Sequence, residues 1–258
     1  MRFLLPALGL AALFTMTTDI AADDKPAARL YEMRVYYAHP GKLEALNARF
    51  RDHTTKLFEK HGMENVGYFV PTGENKQEKL VYFLSYPDKA ARDKSWKEFV
   101  ADPAWKKAAA ESEKDGKLVK GVEVKFLTTT GYSPKLTIEK PGDRVFELRT
   151  YITTKGNLGG LDDRFKNHTI KLFEKHGMSN LIYWHLAAGE KEADKTLVYL
   201  LAHKSEDAAK KSFDAFRVDP DWVAARKASE EKAGGSLTEA KGGVVSEFLK
   251  PTDYSPLK

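Results

Sequence analysis

The side chains able to do chemistry in this sequence come in pairs. His53 returns as His168, His61 as His176, Arg34 as Arg149 and Tyr36 as Tyr151. A partly buried imidazole can serve as a general base or as a haem ligand. Glu32, Arg34 and Tyr36 alternate along one stretch, as do Glu147, Arg149 and Tyr151. On a strand, such alternation puts all three on one face. There the arginine can hold an anionic substrate and the tyrosine can donate a proton. Each set also has a purely structural reading. A histidine beside an apolar stripe can hydrogen-bond a strand, and a glutamate next to an arginine can neutralise it, because an unpaired buried charge is costly. His53 and His61 stand about 12 Å apart along a helix axis, too far to share one metal ion, so no metal site is expected.

The elements that carry these residues follow from local pattern. Leu30 to Tyr37 is rich in aromatic and β-branched residues and reads as a strand. Lys42 to His61 places Leu43, Leu46, Phe50, Leu57 and Phe58 at helical spacing. At about 100° per residue, His53 lies about 60° from Phe50, at the edge of the apolar stripe. The same holds for His168 beside Phe165 and Leu172. Both histidines are therefore expected to face the space between helix and sheet, with Arg34, Arg149, Tyr36 and Tyr151 as the other candidate pocket residues. Lys60-His61-Gly62 reads as a helix stop, with a basic last turn and a glycine for the left-handed position. Two more strands (Asn65 to Pro71 and Lys79 to Tyr86), a helix from Pro87, another capped by Asp102-Pro103, and a strand from Gly121 to Thr128 complete the order.

The same order then repeats. Lys56 to Met63 recurs unchanged as Lys171 to Met178, Asp102-Pro103 as Asp219-Pro220, and Tyr132-Ser133-Pro134 as Tyr254-Ser255-Pro256. The offset grows from 115 to 117 to 122 along the chain, as loop insertions would make it. The chain is a tandem duplication, with copies over residues 29–134 and 144–256. A β-α-β-β-α-β order implies a ferredoxin-like α+β unit in each copy, one sheet face covered by helices. Leu80, Tyr82 and Leu84 alternate with Val81 and Phe83, so both faces of that strand must be buried. The other copy's sheet is the available cover, which predicts an intrachain dimeric α-β barrel.

Composition narrows the class. With 42% hydrophobic residues and a net charge of +5, the chain is an ordinary globular protein, and its charges alternate rather than cluster, which argues against nucleic acid. It has no cysteine, hence no disulfide and no thiolate site. Met1-Arg2, an apolar run to Met16 and the small residues Ala21-Ala22 form a signal-peptide layout over residues 1–22, predicting export to the periplasm or beyond and no span after cleavage.

Tyr31-Glu32-Met33-Arg34-Val35-Tyr36, Lys60-His61-Gly62 and Trp96…Phe99…Asp102-Pro103-Ala104-Trp105 together resemble the NIPSNAP family. The closing Phe248-Leu249-Lys250-Pro251-Thr252-Asp253-Tyr254-Ser255-Pro256 is similar to the tails of its secreted bacterial members. The resemblance implies the dimeric α-β barrel fold and brings no settled reaction. The wider fold group includes cofactor-free monooxygenases and haem enzymes, an analogy of fold only. The expectation is a small-ligand-binding or interaction module without a cofactor, monomeric or homodimeric. The alternatives are a monooxygenase-like or haem-binding enzyme using His53 or His168.

Overall fold

A computed structural model describes residues 29–139 and 142–258. The predicted signal segment, residues 1–22, lies outside the described residues. The first copy runs β1 (Leu30–Ala38), α1 (Leu43–Arg49), a π-helical segment (Phe50–Thr54), α2 (Thr55–Lys60), β2 (Glu64–Pro71), β3 (Lys79–Tyr86), α3 (Lys89–Ala101), α4 (Pro103–Ser112) and β4 (Val119–Thr129). The second runs β5 (Val145–Ile152), α5 (Leu158–Arg164), a π-helical segment (Phe165–Thr169), α6 (Ile170–Lys175), β6 (Ser179–Leu186), β7 (Thr196–His203), α7 (Glu206–Arg217), α8 (Pro220–Ala233) and β8 (Val244–Pro251). No helix among the described residues is long and apolar enough to cross a membrane.

The eight strands close into one barrel, in the order β1-β3-β2-β8-β5-β7-β6-β4. Four consecutive places belong to each copy. The two seams join them: β2 pairs with β8 through Phe69 and Pro251, and β4 pairs with β6 through Leu127 and Leu186. Closure removes every free strand edge. Alternation then sorts the side chains. Tyr31, Met33, Val35, Val81 and Phe83 point into the barrel, while Leu80, Tyr82 and Leu84 face the helices. Inside, Phe83 of the first copy stacks on Trp184 of the second with centroids 5.3 Å apart, and Phe69 meets Phe146 at 4.9 Å. The cover for the second sheet face is thus the other copy, as the double alternation of β3 demands.

Helix ends follow their local chemistry. Asp102 caps α4 by accepting from the Ala104 N–H at 2.7 Å, with Pro103 in the first turn, and Asp219 does the same for α8. Gly62 and Gly177 take φ of +76° and +77° after the helix stops.

The single helix expected over Lys42–His61 is broken by the π-helical turn, and the second copy breaks at the same place. The Thr55 N–H bonds to the Phe50 carbonyl, and the Thr54 and Thr55 hydroxyls donate to Arg49 and Phe50 carbonyls at 3.1 and 3.2 Å. The wider turn buries residues at a four-residue step: Leu46, Phe50, Thr54 and Phe58.

Candidate functional site

Under β1, on the helix side, Glu32 is fully buried. It accepts from Arg34 at 2.6 Å, from Arg92 of α3 at 2.8 and 2.9 Å, from the Trp96 indole at 3.0 Å and from the Tyr86 hydroxyl at 3.2 Å. The Arg34 guanidinium lies over the Trp96 ring, 4.3 Å from its centroid, and reaches Tyr36 at 3.4 Å. Burial would raise the Glu32 pKa, yet the Arg92 hydrogen bonds and the charges of Arg34 and Arg92 hold it below its ordinary value. The second copy rebuilds this cluster with other residues. Glu147 binds Arg149, accepts from Ser246 at 2.5 Å, and meets His203 Nε2 at 3.0 Å. His203 occupies the place of Tyr86, Phe213 that of Trp96, and Ala209 that of Arg92. His203, hydrogen bond first, then Arg149 and Ser246, keep the Glu147 pKa low against its burial. Arg149 Nη2 donates to the Tyr151 hydroxyl at 3.1 Å and its Nε to Tyr199 at 2.8 Å. Arg34, Arg149, Tyr36 and Tyr151 are therefore brought together with their glutamates as two neutralised clusters. The sequence suggested no role for His203, because its partner in the other copy is a tyrosine; the shared demand for a donor to the glutamate was the missing link.

The histidines lie elsewhere. The structure corrects the expectation that His53 and His168 face the helix–sheet space: both are exposed. Each sits within the π-helical turn, which commits Thr54 and Thr169 inward and turns the histidine toward the last helix of its copy. The helix–sheet space is filled instead by rings, Phe50, Phe58, Tyr68 and Tyr82 in one copy and Phe165, Phe173, Tyr183 and Tyr199 in the other. An axial haem ligand needs an apolar enclosure on the side of its imidazole, and neither histidine has one. The residues do not fit that group.

His53 and His168 each line a groove with a buried arginine that the sequence reading passed over. Arg49 and Arg164, directly before the repeated phenylalanines, are buried to 6% exposure under the rings of Trp105 and Trp222. Their recurrence at the same offset of 115 was the available signal. Arg49 has Glu113 at 3.3 Å. Arg164 has Glu230 only at 3.9 Å; each arginine also reaches a serine, Ser112 or Ser229, at 3.4 Å, and the Nε of each has no partner among the described residues. Burial lowers the Arg164 pKa, with Tyr151 and Glu230 opposing it.

The two grooves beside these arginines differ in the way that matters for binding. In the first copy, Asp52 and Glu111 line a groove of about 250 Å³ with Arg49 and His53. In the second, Asn167 and Ala228 take those two places, and the groove grows to about 410 Å³. Its charged lining is Arg164 and Lys232 against Asp163, with His168 beside them. Duplication has left one groove with an acidic balance and the other with a basic one.

His61 and His176 behave as the helix-stop reading requires. Their Nε2 atoms meet Asp102 and Asp219 at 2.8 and 2.7 Å, where Lys60 and Lys175 also bind at 2.7 and 2.8 Å. Lys60, His61 and the Ala104 N–H hold Asp102 far below the usual carboxylate range, as Lys175 and His176 do for Asp219. A depressed folded pKa contributes stability above the unfolded value, about 4 for these carboxyls, and that stability is lost as pH falls through the folded value. Acidification below about pH 4 is therefore expected to lower the urea midpoint steeply. In a protein carrying both Asp102→Asn and Asp219→Asn, which keep a capping side chain, the fall should be shallower. Parallel falls in the two proteins would remove these aspartates from the explanation.

Comparison with known proteins agrees with this architecture. The sequence profile of the family described as NIPSNAP matches residues 31–134 and 146–256. No curated protein sequence matches the chain. Three solved structures share the fold at low identity. An anthrone oxidase-like protein is 11% identical over 89% of this chain and 94% of its own, with a TM-score of 0.57. A provisionally assigned monooxygenase from Fusobacterium nucleatum is 11% identical over 87% and 93%, with a TM-score of 0.56. Another from Lactobacillus acidophilus is 12% identical over 87% and 94%, at 0.51.

Proposed function

The chain belongs to the NIPSNAP family, and from that premise we propose that it is a small-molecule-binding module whose ligand is an anion seated in the second copy's groove. One observation carries this. Arg164 is buried at the groove with no carboxylate nearer than 3.9 Å among the described residues, and the two carboxylates that line the equivalent groove of the first copy, Asp52 and Glu111, are replaced by Asn167 and Ala228. A guanidinium without a close carboxylate is the side chain best matched to a carboxylate or phosphate. Lys232 adds charge, and His168 and Asn167 add further donors. We read each copy as a ferredoxin-like unit with an added helix, supported by its strand order, β4-β1-β3-β2 and β8-β5-β7-β6. Export through residues 1–22 belongs to the same proposal; a mature N-terminus near Asp23 would support it.

An oxygenase reading, which the descriptions of the similar folds suggest, has less to stand on. The space between helices and sheet is packed with rings, such as Phe50 and Tyr82 at 5.2 Å.

The test is native mass spectrometry of the protein from its own source, with titration by inorganic phosphate and acetate followed at the His168 resonances. A charge-assisted hydrogen bond is worth about 1.5–3 kcal/mol, so Arg164→Met should weaken binding about 10- to 100-fold. Arg49→Met should leave it unchanged. A bare mass together with no shift at His168 would end the proposal.

A further inference from the structure

We infer that one mouth of the barrel is a second site, distinct from the Arg164 groove, for a small carboxylate with an apolar body. The duplication supplies the template, because the chain itself fills the opposite mouth. The segments Thr130–Leu136 and Thr252–Lys258 follow β4 and β8 and begin alike. The Thr130 N–H donates to the Tyr183 carbonyl at 3.0 Å, and that of Thr252 to Tyr68 at 2.9 Å. The Ser133 and Ser255 hydroxyls accept from the N–H of Tyr183 and Tyr68, each at 3.0 Å.

After the shared Ser-Pro the two segments part. The Ser255 hydroxyl donates to the Leu257 carbonyl at 2.8 Å, and the Leu257 side chain enters the barrel core beside Gly67, fully buried. Arg144 then donates through Nε to the main-chain oxygen of Lys258 at 2.9 Å. One apolar group in the mouth, followed by one oxygen on an arginine, closes that end.

At the other mouth the residue in Leu257's place is Lys135, which is exposed, and the Ser133 hydroxyl turns to the Pro134 carbonyl at 3.1 Å. The result is a pocket of about 480 Å³ lined by Arg29, Tyr31, Val66, Lys135, Leu136 and Ile182, among others. Tyr31 stands where the sealed mouth has Phe146, and Arg29 where it has Arg144. Arg29 donates through Nη2 alone, to Glu64 at 2.5 Å and Ser85 at 3.0 Å, so its Nε and Nη1 make no hydrogen bond to a described residue. The Tyr31 hydroxyl likewise has no such bond, and burial raises its pKa, which keeps it a neutral donor. The apolar body of the ligand takes the place that Leu257 fills at the sealed end, against Val66, Leu136 and Ile182. Its carboxylate takes the place of the Lys258 oxygen, facing Arg29, Lys135 and Tyr31. Two cations against the single carboxylate of Glu64 favour an anion over an alcohol or an amine.

The experiment titrates the full chain with octanoate and with octan-1-ol, following the methyl resonances of Leu136 and Ile182. Saturable shifts with octanoate, and binding at least about tenfold weaker with the alcohol, are expected. Lys135→Leu supplies the missing plug and should abolish the shifts. Tyr31→Phe, which installs the residue of the sealed mouth, should keep the melting temperature and weaken octanoate several-fold. Arg164→Met should change nothing here, so failure of this site and failure of the groove are told apart. Unshifted mouth methyls, equal binding of the alcohol, or undiminished binding in Lys135→Leu would each overturn the inference.

Discussion

Glu32→Gln is expected to destabilise the protein by about 3–5 kcal/mol, because it leaves buried charge without a partner. Among the described residues Glu32 is the only carboxylate paired with Arg34 and the principal partner of Arg92, which also touches Asp93 at 3.1 Å. Arg34 is 12% exposed and lies against Trp96, so it cannot simply swing into water. Glu147→Gln is expected to cost less, about 2–3 kcal/mol. There the second partner is the imidazole of His203 rather than a second guanidinium, and Ala209 replaces the second arginine. Combining Glu32→Gln with Arg92→Ala brings the first copy toward that arrangement and should recover part of the loss. Urea unfolding of the four proteins measures all three statements. Equal costs for the two glutamates, or a loss under about 1 kcal/mol for Glu32→Gln, would mean that the clusters are solvated rather than sealed.

Trp184→Ala is the second large effect, about 3–5 kcal/mol for an indole lost from a packed core. Trp184 is fully buried, stacks on Phe83 of the other copy and takes Tyr31 edge-on at 5.5 Å. Because its neighbours belong to the first copy, the loss should fall on both halves together. Wild type and variant should each unfold in one transition, seen alike by far-ultraviolet circular dichroism and by the remaining tryptophans. Two separated transitions in the wild type would show that each copy holds its own core, and the barrel interior would then contribute little.

Arg49 and Arg164 show how far sequence reasoning reaches. Both recur beside Phe50 and Phe165, and a list of repeated charged residues contains them. Their burial depends on Trp105 and Trp222, which arrive from helices more than fifty residues away. His53 and His168 show the reverse error. A uniform turn of about 100° per residue placed them at the edge of the apolar face, but the threonine-bonded π turn moved them out.

By itself the sequence determined the duplication, the strands with two buried faces, and the helix stops at Lys60-His61-Gly62 and their repeats. These rest on periods of two to four residues and on near neighbours, where side-chain direction follows from backbone geometry. Only the tertiary structure decided that one mouth is plugged by Leu257 and the other left open beside Lys135, and that the basic groove belongs to the second copy. Those outcomes depend on what comes to lie opposite a residue, and two nearly identical segments acquire different surroundings once the chain closes on itself.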